Sequence, residues 1–315
     1  MSIRGRFAPS PTGDLHLGNA RTALLAWVSA RAQGGEFVLR MEDLDKPRER
    51  PGAAERIVRS LRWLGIDWDE GPDVGGPYAP YVQSERFPLY EAAAEKLLRE
   101  GKAFECWCSR AEVAAASAPH AGEEGPRYPG TCREPDAERA AARKAQGRIP
   151  SIRFRVPDRP VCFDDGIHGP QRFDIHALTG DFVIRRADGV AAYQLAVVVD
   201  DAAMHVTEVV RGDDLLSSTP RQILLFEALG LPVPKFLHLP LVVGPDGARL
   251  AKRHGAASLS ELMERGEDPE AVTGLLAHIS GLARPGERLH PRELVSRWDP
   301  QAVGRAPAQL VHPQP

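Results

Sequence analysis

The chain has 315 residues, of which 43% are hydrophobic and 26% are charged, and this composition is too apolar for a disordered protein. Its formal net charge of −3 excludes a protein that coats nucleic acid indiscriminately, although it permits a locally basic face. No run of about 18 uncharged apolar residues occurs, which excludes a membrane span. The N-terminus lacks the apolar stretch of a signal peptide and only four cysteines are present, so we expect a cytoplasmic protein without a disulfide scaffold.

The N-terminal hundred residues alternate between strand and helix patterns. Residues 3–8 predict a short strand that is ended by Pro9 and Pro11, and Glu36 to Met41 predict a second strand. Apolar residues spaced three and four apart predict helices after Pro11, over residues 52–64 and over residues 85–100. This order of elements predicts a parallel α/β sheet, of which residues 1–101 form the first half.

Residues 102–190 interrupt the alternation. They contain the cysteines and a basic stretch from Arg127 to Arg159, in which nine Arg or Lys residues stand against four Asp or Glu residues. A predicted strand from Ser151 to Val156 alternates apolar and cationic residues. We therefore expect an inserted subdomain whose basic face is either a surface for RNA or simply a solvated face.

Residues 191–247 return to the α/β pattern. Leu195 to Val199 predict a strand, although a buried helix segment fits the same residues, and Val206 to Val210 predict another strand. A helix follows from Arg221 to Leu229, and a strand from Phe236 to Val243.

Residues 248–315 predict a short helical tail with an apolar face formed by Leu275, Leu276, Ile279 and Leu282.

The segment from Pro9 to Asn19 joins a predicted strand to a predicted helix. A helix N-terminus offers unpaired N–H groups and a positive dipole end, which suit a phosphate group. Gly18 would let a nucleotide lie against the backbone, and His16 and Asn19 could donate hydrogen bonds to charge that develops at phosphorus. A turn with a surface histidine is an equally good interpretation of this segment alone.

A second basic segment, Arg249-Leu250-Ala251-Lys252-Arg253, follows about 230 residues later. Lys252 could reach the outer phosphates of a nucleotide as a point charge. On its own, such a segment is more typical of a solvated basic surface.

Together the two segments resemble the HIGH-type and KMSKS-type signatures of class I aminoacyl-tRNA synthetases. Arg6 to Gly13 and Glu42-Asp43-Leu44-Asp45 resemble the glutamyl and glutaminyl branch, as do the stretches Ala192–Asp201 and Thr207–Leu215. The resemblance within this branch is highest to the glutamyl-Q tRNA(Asp) synthetases, because a complete glutamyl-tRNA synthetase continues into an anticodon-binding domain. It implies a Rossmann-type parallel sheet that is split by a zinc-containing insertion and followed by a helical subdomain, with boundaries at 1–101, 102–190, 191–247 and 248–315.

The cysteines Cys106, Cys108 and Cys132 lie within 27 residues, which is typical of a tetrahedral zinc site, although reduced structural cysteines remain an alternative. Spacing alone leaves the fourth ligand open among His120, His168 and Cys162. The resemblance implies a C-x-C…Y-x₃-C site with Tyr128 as the fourth ligand of one structural zinc ion. Cys162 would then be a buried thiol.

The resemblance also implies the substrates and the residues that bind them. Glutamate would react with ATP, accompanied by Mg²⁺ and without the need for tRNA, to give glutamyl-adenylate. A monomeric enzyme would then transfer glutamate to queuosine in the anticodon of tRNA(Asp). His16 and Lys252 would be catalytic, and ATP would be bound by His16, Gly18, Asn19 and Lys252. Glutamate would be bound by Arg6, Phe7, Ala8, Pro9, Ser10, Glu42, Tyr193 and Arg211.

Two positions depart from the archetypal motifs. Asn19 stands in place of the second histidine of the HIGH-type motif, and Ala251 stands in place of a serine of the KMSKS-type motif. We expect activity to survive both changes. Three alternatives remain: a truncated glutamyl-tRNA synthetase that charges a tRNA 3′ end, an inactive paralogue that binds RNA, and an enzyme that hands activated glutamate to a carrier protein. Glutamate-dependent pyrophosphate exchange would exclude the inactive paralogue.

Overall fold

A computed structural model of the chain describes residues 2–117, 126–244 and 257–309. The strands in these ranges are β1 Arg4–Phe7, β2 Glu36–Leu39, β3 Ala103–Cys106, β4 Ser151–Phe154, β5 Val161–Asp165, β6 Gly169–Phe173, β7 Val183–Arg185, β8 Glu208–Gly212, β9 Lys235–Leu239, β10 Val242–Val243 and β11 Ala308–Gln309. The helices are α1 Leu17–Ala32, α2 Ala53–Trp63, α3 Phe87–Arg99, α4 Arg110–Ser117, α5 Ala137–Ala145, α6 Ile175–Leu178, α7 Tyr193–Ala203, α8 Thr219–Leu229, α9 Leu259–Glu264, α10 Pro269–His278 and α11 Pro291–Leu294.

Parallel strand pairs from both halves of the chain form the centre of the molecule. β1 pairs with β2, and β8 pairs with β9, in parallel register. The two pairs lie side by side, since the backbone N–H of Thr207 donates to the carbonyl oxygen of Arg4 at 2.9 Å. The predicted mixed α/β architecture with parallel strands is therefore confirmed.

The predicted insertion contributes two different structures. β3, β4 and β7 form an antiparallel sheet of their own. The hairpin of β5 and β6 instead joins the second half of the chain, because Asp165 of β5 pairs with Phe236 of β9. The boundaries at 102 and 190 stay predictions.

Helix α1 lies at the centre of one hydrophobic core. Its Leu24 is fully buried and shares a cluster with Leu276, Leu282 and Leu294 of the C-terminal tail. The tail therefore packs against the first helix of the chain. Among the helices of the described ranges, none is long and apolar enough to cross a membrane.

Three sequence-based predictions differ from the structure. Leu195–Val199 belong to helix α7, not to a strand, because a helix that is buried on all sides shows the same unbroken apolar run as a buried strand. Cys162 is exposed, because the side chains of β5 alternate between the core and solvent. The strand predicted from Phe236 to Val243 is divided into β9 and β10 at Pro240.

Candidate active site

A cavity of about 890 Å³ opens where strands of the parallel pairs end. Phe7 ends β1, Gly212 ends β8 and Leu239 ends β9, and all three residues line the cavity. The carboxyl ends of parallel strands are the usual place for a ligand in an α/β sheet. The cavity brings together the sequence-predicted residues Arg6, Phe7, Ala8, Pro9, Ser10, His16, Gly18, Asn19, Glu42, Tyr193 and Arg211. Lys252, the remaining predicted substrate-binding residue, lies outside the described residues.

The start of α1 contributes one part of the cavity wall. His16 precedes the helix in an extended conformation, and within the described part of the chain its side chain makes no capping hydrogen bond. The Nδ1 atom of His16 is buried and has no hydrogen-bond partner among these residues. Within the part of the chain that the structure describes, a Cβ atom on Gly18 would approach Val242 at 4.0 Å without a clash, so these residues leave space beside the glycine. The first turn of α1 can therefore receive a phosphate group.

The described residues on both sides of residues 245–256 contact this same helix start. Before the gap, Val242 lies beside Gly18. After the gap, Ser258 forms an antiparallel bridge with His16, and the N–H of Leu259 donates to the carbonyl of Leu15 at 2.8 Å. The described residues on either side of residues 245–256 therefore both lie at the start of α1.

Cationic and anionic side chains line the rest of the cavity. Arg6, Arg211 and Glu42 are each at most 8% exposed, and Tyr193 at the start of α7 is 38% exposed. Burial raises the pKa of Glu42, although the guanidinium groups of Arg40 and Arg6 oppose the shift. Burial lowers the pKa of Arg211. A small ligand with carboxylate and ammonium groups matches these charges.

Arg40, which does not line the cavity, contacts the charged side chains that do. It is fully buried, and its Nη2 and Nη1 atoms lie 3.0 Å from Glu42 Oε1 and 2.8 Å from Asp201 Oδ1. The same Asp201 oxygen lies 3.6 Å from Nε of Arg6. Arg40 and Asp201 therefore link the two cavity residues of opposite charge.

Arg211 is held by a different set of side chains. Its Nη2 donates to Oγ1 of Thr219 at 2.8 Å, and its Nε donates to Nε2 of His238 at 3.1 Å. Nδ1 of His238 lies 2.6 Å from Oδ2 of Asp165. Thr219 and His238 thereby fix the orientation of the planar guanidinium group of Arg211.

Sequence reasoning gave no role to Arg40, His238 or Asp165. A signal exists for two of them, because Arg40 and His238 are ionisable residues within otherwise apolar strand patterns and a buried ionisable side chain needs a partner. Asp165 carries no such signal, since it lies 73 residues from His238 and only the fold brings them together.

The predicted metal-binding cysteines converge. The ligand atoms of Cys106, Cys108 and Cys132 lie within 4.8 Å of one another, and the Sγ atoms of Cys108 and Cys132 are 3.6 Å apart. Two thiolates at about 2.3 Å from one tetrahedral zinc ion would be separated by about 3.8 Å, which agrees with this spacing. A hydrogen bond from Cys132 lowers the pKa of Cys106, whereas burial raises the pKa of Cys108 and the same hydrogen bond raises that of Cys132. The donor set therefore fits a zinc ion.

Tyr128 lies at the same cluster. Its Oη is 3.4 Å from Sγ of Cys106 and accepts a hydrogen bond from the backbone N–H of Cys132 at 2.7 Å. The Arg153 guanidinium lies 3.9 Å from the centre of the Tyr128 ring. The phenol oxygen therefore lies beside the cysteine cluster, and its role as the fourth ligand stays a prediction.

The alternative fourth ligands do not join the cluster in the described residues. His168 lies beside Asp213, with 3.7 Å between Nε2 and Oδ2, and Cys162 is exposed on β5. His120 lies outside the described residues.

Carboxylates partly neutralise the predicted basic stretch. Arg143 and Arg148 both pair with Glu112, at 2.6 and 3.0 Å, and Arg133 pairs with Asp181. Glu112 and Asp181 lie outside the stretch from Arg127 to Arg159, so its own composition overstates the positive charge of this surface. An RNA-facing role for it stays a prediction.

Comparisons with known proteins agree with this geometry. A family model described as "tRNA synthetases class I (E and Q), catalytic domain" matches residues 2–296. A glutamyl-Q tRNA(Asp) synthetase of Symbiobacterium thermophilum is 59% identical, and the match covers 97% of this chain and 95% of that protein. A protein of the same name from Nitratidesulfovibrio vulgaris is 52% identical over 89% of this chain and 87% of its own length.

A solved structure is also similar. The crystal structure of a glutamate tRNA ligase from Elizabethkingia meningosepticum, in complex with its amino acid, matches with a TM-score of 0.86 at 32% sequence identity. The match covers 98% of this chain and 67% of that one.

Proposed function

The chain belongs to the catalytic-domain family of class I tRNA synthetases for glutamate and glutamine, and we propose that it activates glutamate with ATP and transfers the glutamyl group to queuosine in tRNA(Asp). The observation that carries the proposal is the cavity, in which Arg6, Glu42 and Arg211 lie together with the open start of α1. Members of the family use ATP and Mg²⁺, and the transfer to queuosine is supported by the two relatives named glutamyl-Q tRNA(Asp) synthetase.

In the first step, the α-carboxylate of glutamate attacks the α-phosphorus of ATP, and pyrophosphate leaves. The nucleophile belongs to the substrate, so the protein contributes position and charge rather than a covalent intermediate. His16 donates a hydrogen bond to the α-phosphate. The nucleotide lies against the backbone at Gly18 and contacts Asn19. Lys252 holds the outer phosphates.

Glutamate is recognised by charge complementarity. Arg6 and Arg211 face its carboxylates, because a guanidinium group donates strong, charge-assisted hydrogen bonds to a carboxylate. Glu42 receives the ammonium group, with Ser10 and Tyr193 as hydrogen-bonding partners. Burial disfavours the ionised form of Glu42, and a bound ammonium group would favour it again.

In the second step, a hydroxyl group of the queuosine cyclopentenediol attacks the carbonyl carbon of glutamyl-adenylate. An ester bond forms, the mixed anhydride bond breaks, and AMP and a proton are released. One zinc ion held by Cys106, Cys108, Tyr128 and Cys132 would stabilise the fold of the insertion. The proposal also includes that the enzyme is a monomer and that it is located in the cytoplasm.

The test uses labelled glutamate, ATP and four forms of tRNA(Asp). The RNA is prepared with and without queuosine, and each preparation is used with and without its 3′-terminal adenosine. We expect label only on the queuosine-containing RNA, whether or not the terminal adenosine is present.

Two other results would contradict the proposal. Label on tRNA(Glu), offered in a parallel reaction, that requires its 3′-terminal adenosine would indicate a glutamyl-tRNA synthetase, as the Elizabethkingia meningosepticum structure exemplifies. An absence of label, together with an absence of glutamate-dependent pyrophosphate exchange, would indicate an inactive RNA-binding paralogue.

A further inference from the structure

A pair of buried polar side chains lies behind Arg211. His238 of β9 is fully buried and Asp165 of β5 is 4% exposed, and among the described residues neither lines the cavity. His238 contacts Arg211 on one side and Asp165 on the other. A residue of the predicted insertion is therefore connected to the glutamate cavity through one histidine.

The chemistry of the donors determines the tautomer of His238. The Nε–H group of Arg211 can only donate, so Nε2 of His238 must accept and carries no proton. The proton of the neutral ring is then on Nδ1 and is donated to Oδ2 of Asp165. Oδ1 of the same carboxylate accepts from the backbone N–H groups of Ile167 at 3.0 Å and His168 at 2.9 Å, which fixes the orientation of Asp165.

The surrounding charges favour this neutral tautomer. Asp165 of β5, Arg211 of β8 and His168 after β5 are the ionisable groups that face the ring, and Thr219 of α8 is the polar one. Burial lowers the pKa of His238 and the Arg211 cation adds to the shift, although Asp165 opposes both. The hydrogen bonds to Asp165 keep its own pKa low despite its burial.

Arg211 is consequently left with one free nitrogen. Its Nε and Nη2 atoms are bound by His238 and Thr219, whereas Nη1 is buried and has no partner within the described residues. Arg211 itself lines the cavity. We propose that His238 and Asp165 are positioning residues that orient Arg211 so that its free nitrogen meets a carboxylate of the amino acid substrate.

This inference rests on the proposed function, because the carboxylate belongs to glutamate. It assigns to the insertion a contribution to amino acid binding, since Asp165 is supplied by β5.

The decisive variant is Asp165→Asn, which keeps the size of the side chain. Its amide oxygen must continue to accept from Ile167 and His168, so its NH₂ group takes the place of Oδ2 and points at Nδ1 of His238. Nδ1 must then accept, the ring proton moves to Nε2, and two N–H groups confront each other between His238 and Arg211.

The measurement is glutamate-dependent pyrophosphate exchange with the KM values for glutamate and ATP determined separately. We expect Asp165→Asn to raise the KM for glutamate about 10- to 100-fold, as loss of an orienting partner does elsewhere, with the KM for ATP changed less than about twofold. Thr219→Val, which removes the second support of Arg211, is expected to shift the same KM. His238→Gln retains an acceptor near Nε2 and is expected to retain more glutamate affinity than His238→Asn.

Leu97→Ala in α3 is the matched control, since this fully buried residue packs in a hydrophobic core and does not line the cavity. It should reduce stability without changing the ratio of the two KM values. Nitrogen-15 NMR of the histidine side chains should show a proton on Nδ1 of His238 in the unaltered protein and on Nε2 in Asp165→Asn.

The outcomes separate the inference from the proposed function. If the unaltered protein catalyses the exchange and Asp165→Asn leaves the KM for glutamate unchanged, or raises both KM values equally as Leu97→Ala could, the positioning role is wrong and the proposed function stands. A proton on Nε2 of His238 in the unaltered protein would also overturn the role. If the unaltered protein shows no glutamate-dependent exchange, the proposed function itself fails, and the inference fails with it.

Discussion

Arg40 has no exposed surface, and the carboxylates of Glu42, Asp200 and Asp201 surround its guanidinium group. Removal of the cation would take one counter-charge from each of these buried carboxylates, although Asp200 keeps Arg86 and Asp201 keeps Arg6. Leaving buried charges with less compensation is more costly than the loss of the ion pairs alone. We expect Arg40→Met to reduce the free energy of unfolding by about 3–5 kcal/mol, measured by urea denaturation.

Arg48→Met is the control for this prediction, because Arg48 also belongs to the cavity but is 74% exposed at its side chain and pairs with Asp45 at 3.7 Å. An exposed ion pair contributes at most about 1 kcal/mol. Equal losses of stability in the two variants would contradict a structural role for the buried network.

The raised pKa of Glu42 predicts a pH dependence for glutamate binding. Ionised Glu42 is disfavoured by burial, so it takes up a proton at a higher pH than an unfolded glutamate, whose pKa is about 4.3. Its contribution to folding is accordingly present at acidic pH and is lost as the pH rises through the raised pKa. Its negative charge behaves differently. As the pH falls, Glu42 takes up a proton and no longer attracts an ammonium group.

We therefore expect the KM for glutamate to rise on acidification, beginning at a pH above the ordinary range of a glutamate side chain. Glu42→Gln should raise this KM by at least about tenfold at neutral pH and should remove the pH-dependent part, while the KM for ATP serves as the control. A KM for glutamate that is equal in both proteins across this pH range would show that Glu42 does not bind the ammonium group.

Single residues also show what a sequence can and cannot predict. The motif residues around Arg6, His16 and Glu42 meet in one cavity, because each motif directly follows a strand or precedes a helix. Asp165 could not be assigned in this way, since its role depends on the pairing of β5 with β9. Cys162 was wrongly predicted as buried, because the face to which a strand residue points depends on register.

At the scale of single elements, Gly18 at the start of α1 is subject to two opposing requirements, which are helix stability and space for the nucleotide. Alanine is a better helix former than glycine, and among the described residues a Cβ atom here would meet only Val242, at ordinary contact distance. The added methyl group would, however, project where the nucleotide is expected to lie.

Gly18→Ala is therefore expected to retain or slightly raise the free energy of unfolding, by up to about 1 kcal/mol, and to raise the KM for ATP about tenfold or more. Urea denaturation and pyrophosphate exchange measure the two effects. A variant with unchanged KM for ATP would indicate that the nucleotide does not lie against the first turn of α1.

The cluster of Cys106, Cys108 and Cys132 predicts that the protein contains zinc and that replacement of any one of these cysteines lowers the zinc content. We expect about one zinc ion per chain, measured by elemental analysis, and a loss of zinc and of thermal stability in Cys106→Ser, Cys108→Ser and Cys132→Ser, because structural zinc contributes directly to folding. Tyr128→Phe should weaken zinc binding but retain the three thiolates.

Cys162→Ser is the matched control, since this cysteine is exposed and lies outside the cluster. It should bind zinc as the unaltered protein does. A full zinc content in all three cluster variants would contradict the site.

Elements differ in how well the sequence predicts them. Helices with one exposed face, such as α2 and α3, lie within two residues of their predicted bounds, because their apolar residues recur with the helical period. Helix α7 lacks this signal, since residues from Leu195 to Asp201 are all buried. Its assignment requires the tertiary structure.

At the scale of the whole molecule, distant segments of the chain complete one cavity. β1 and β8 are adjacent although about 200 residues separate them, and the C-terminal tail packs against α1. Ser258 and Val242 bring both flanks of residues 245–256 to the start of α1. The resemblance to a known family predicts that the two motifs meet, and this stays a prediction because Lys252 lies outside the described residues. The packing of the tail could not be predicted from its proline-punctuated sequence.

The central claim is that this cavity activates glutamate without RNA, with the aid of Lys252. The most direct measurement is ATP–pyrophosphate exchange in the absence of tRNA, with glutamate, with glutamine in its place, and with Lys252→Ala. The account predicts exchange that depends on glutamate, is not supported by glutamine, and is slowed about 100-fold in the variant. An absence of exchange without tRNA, or an undiminished rate in Lys252→Ala, would contradict it.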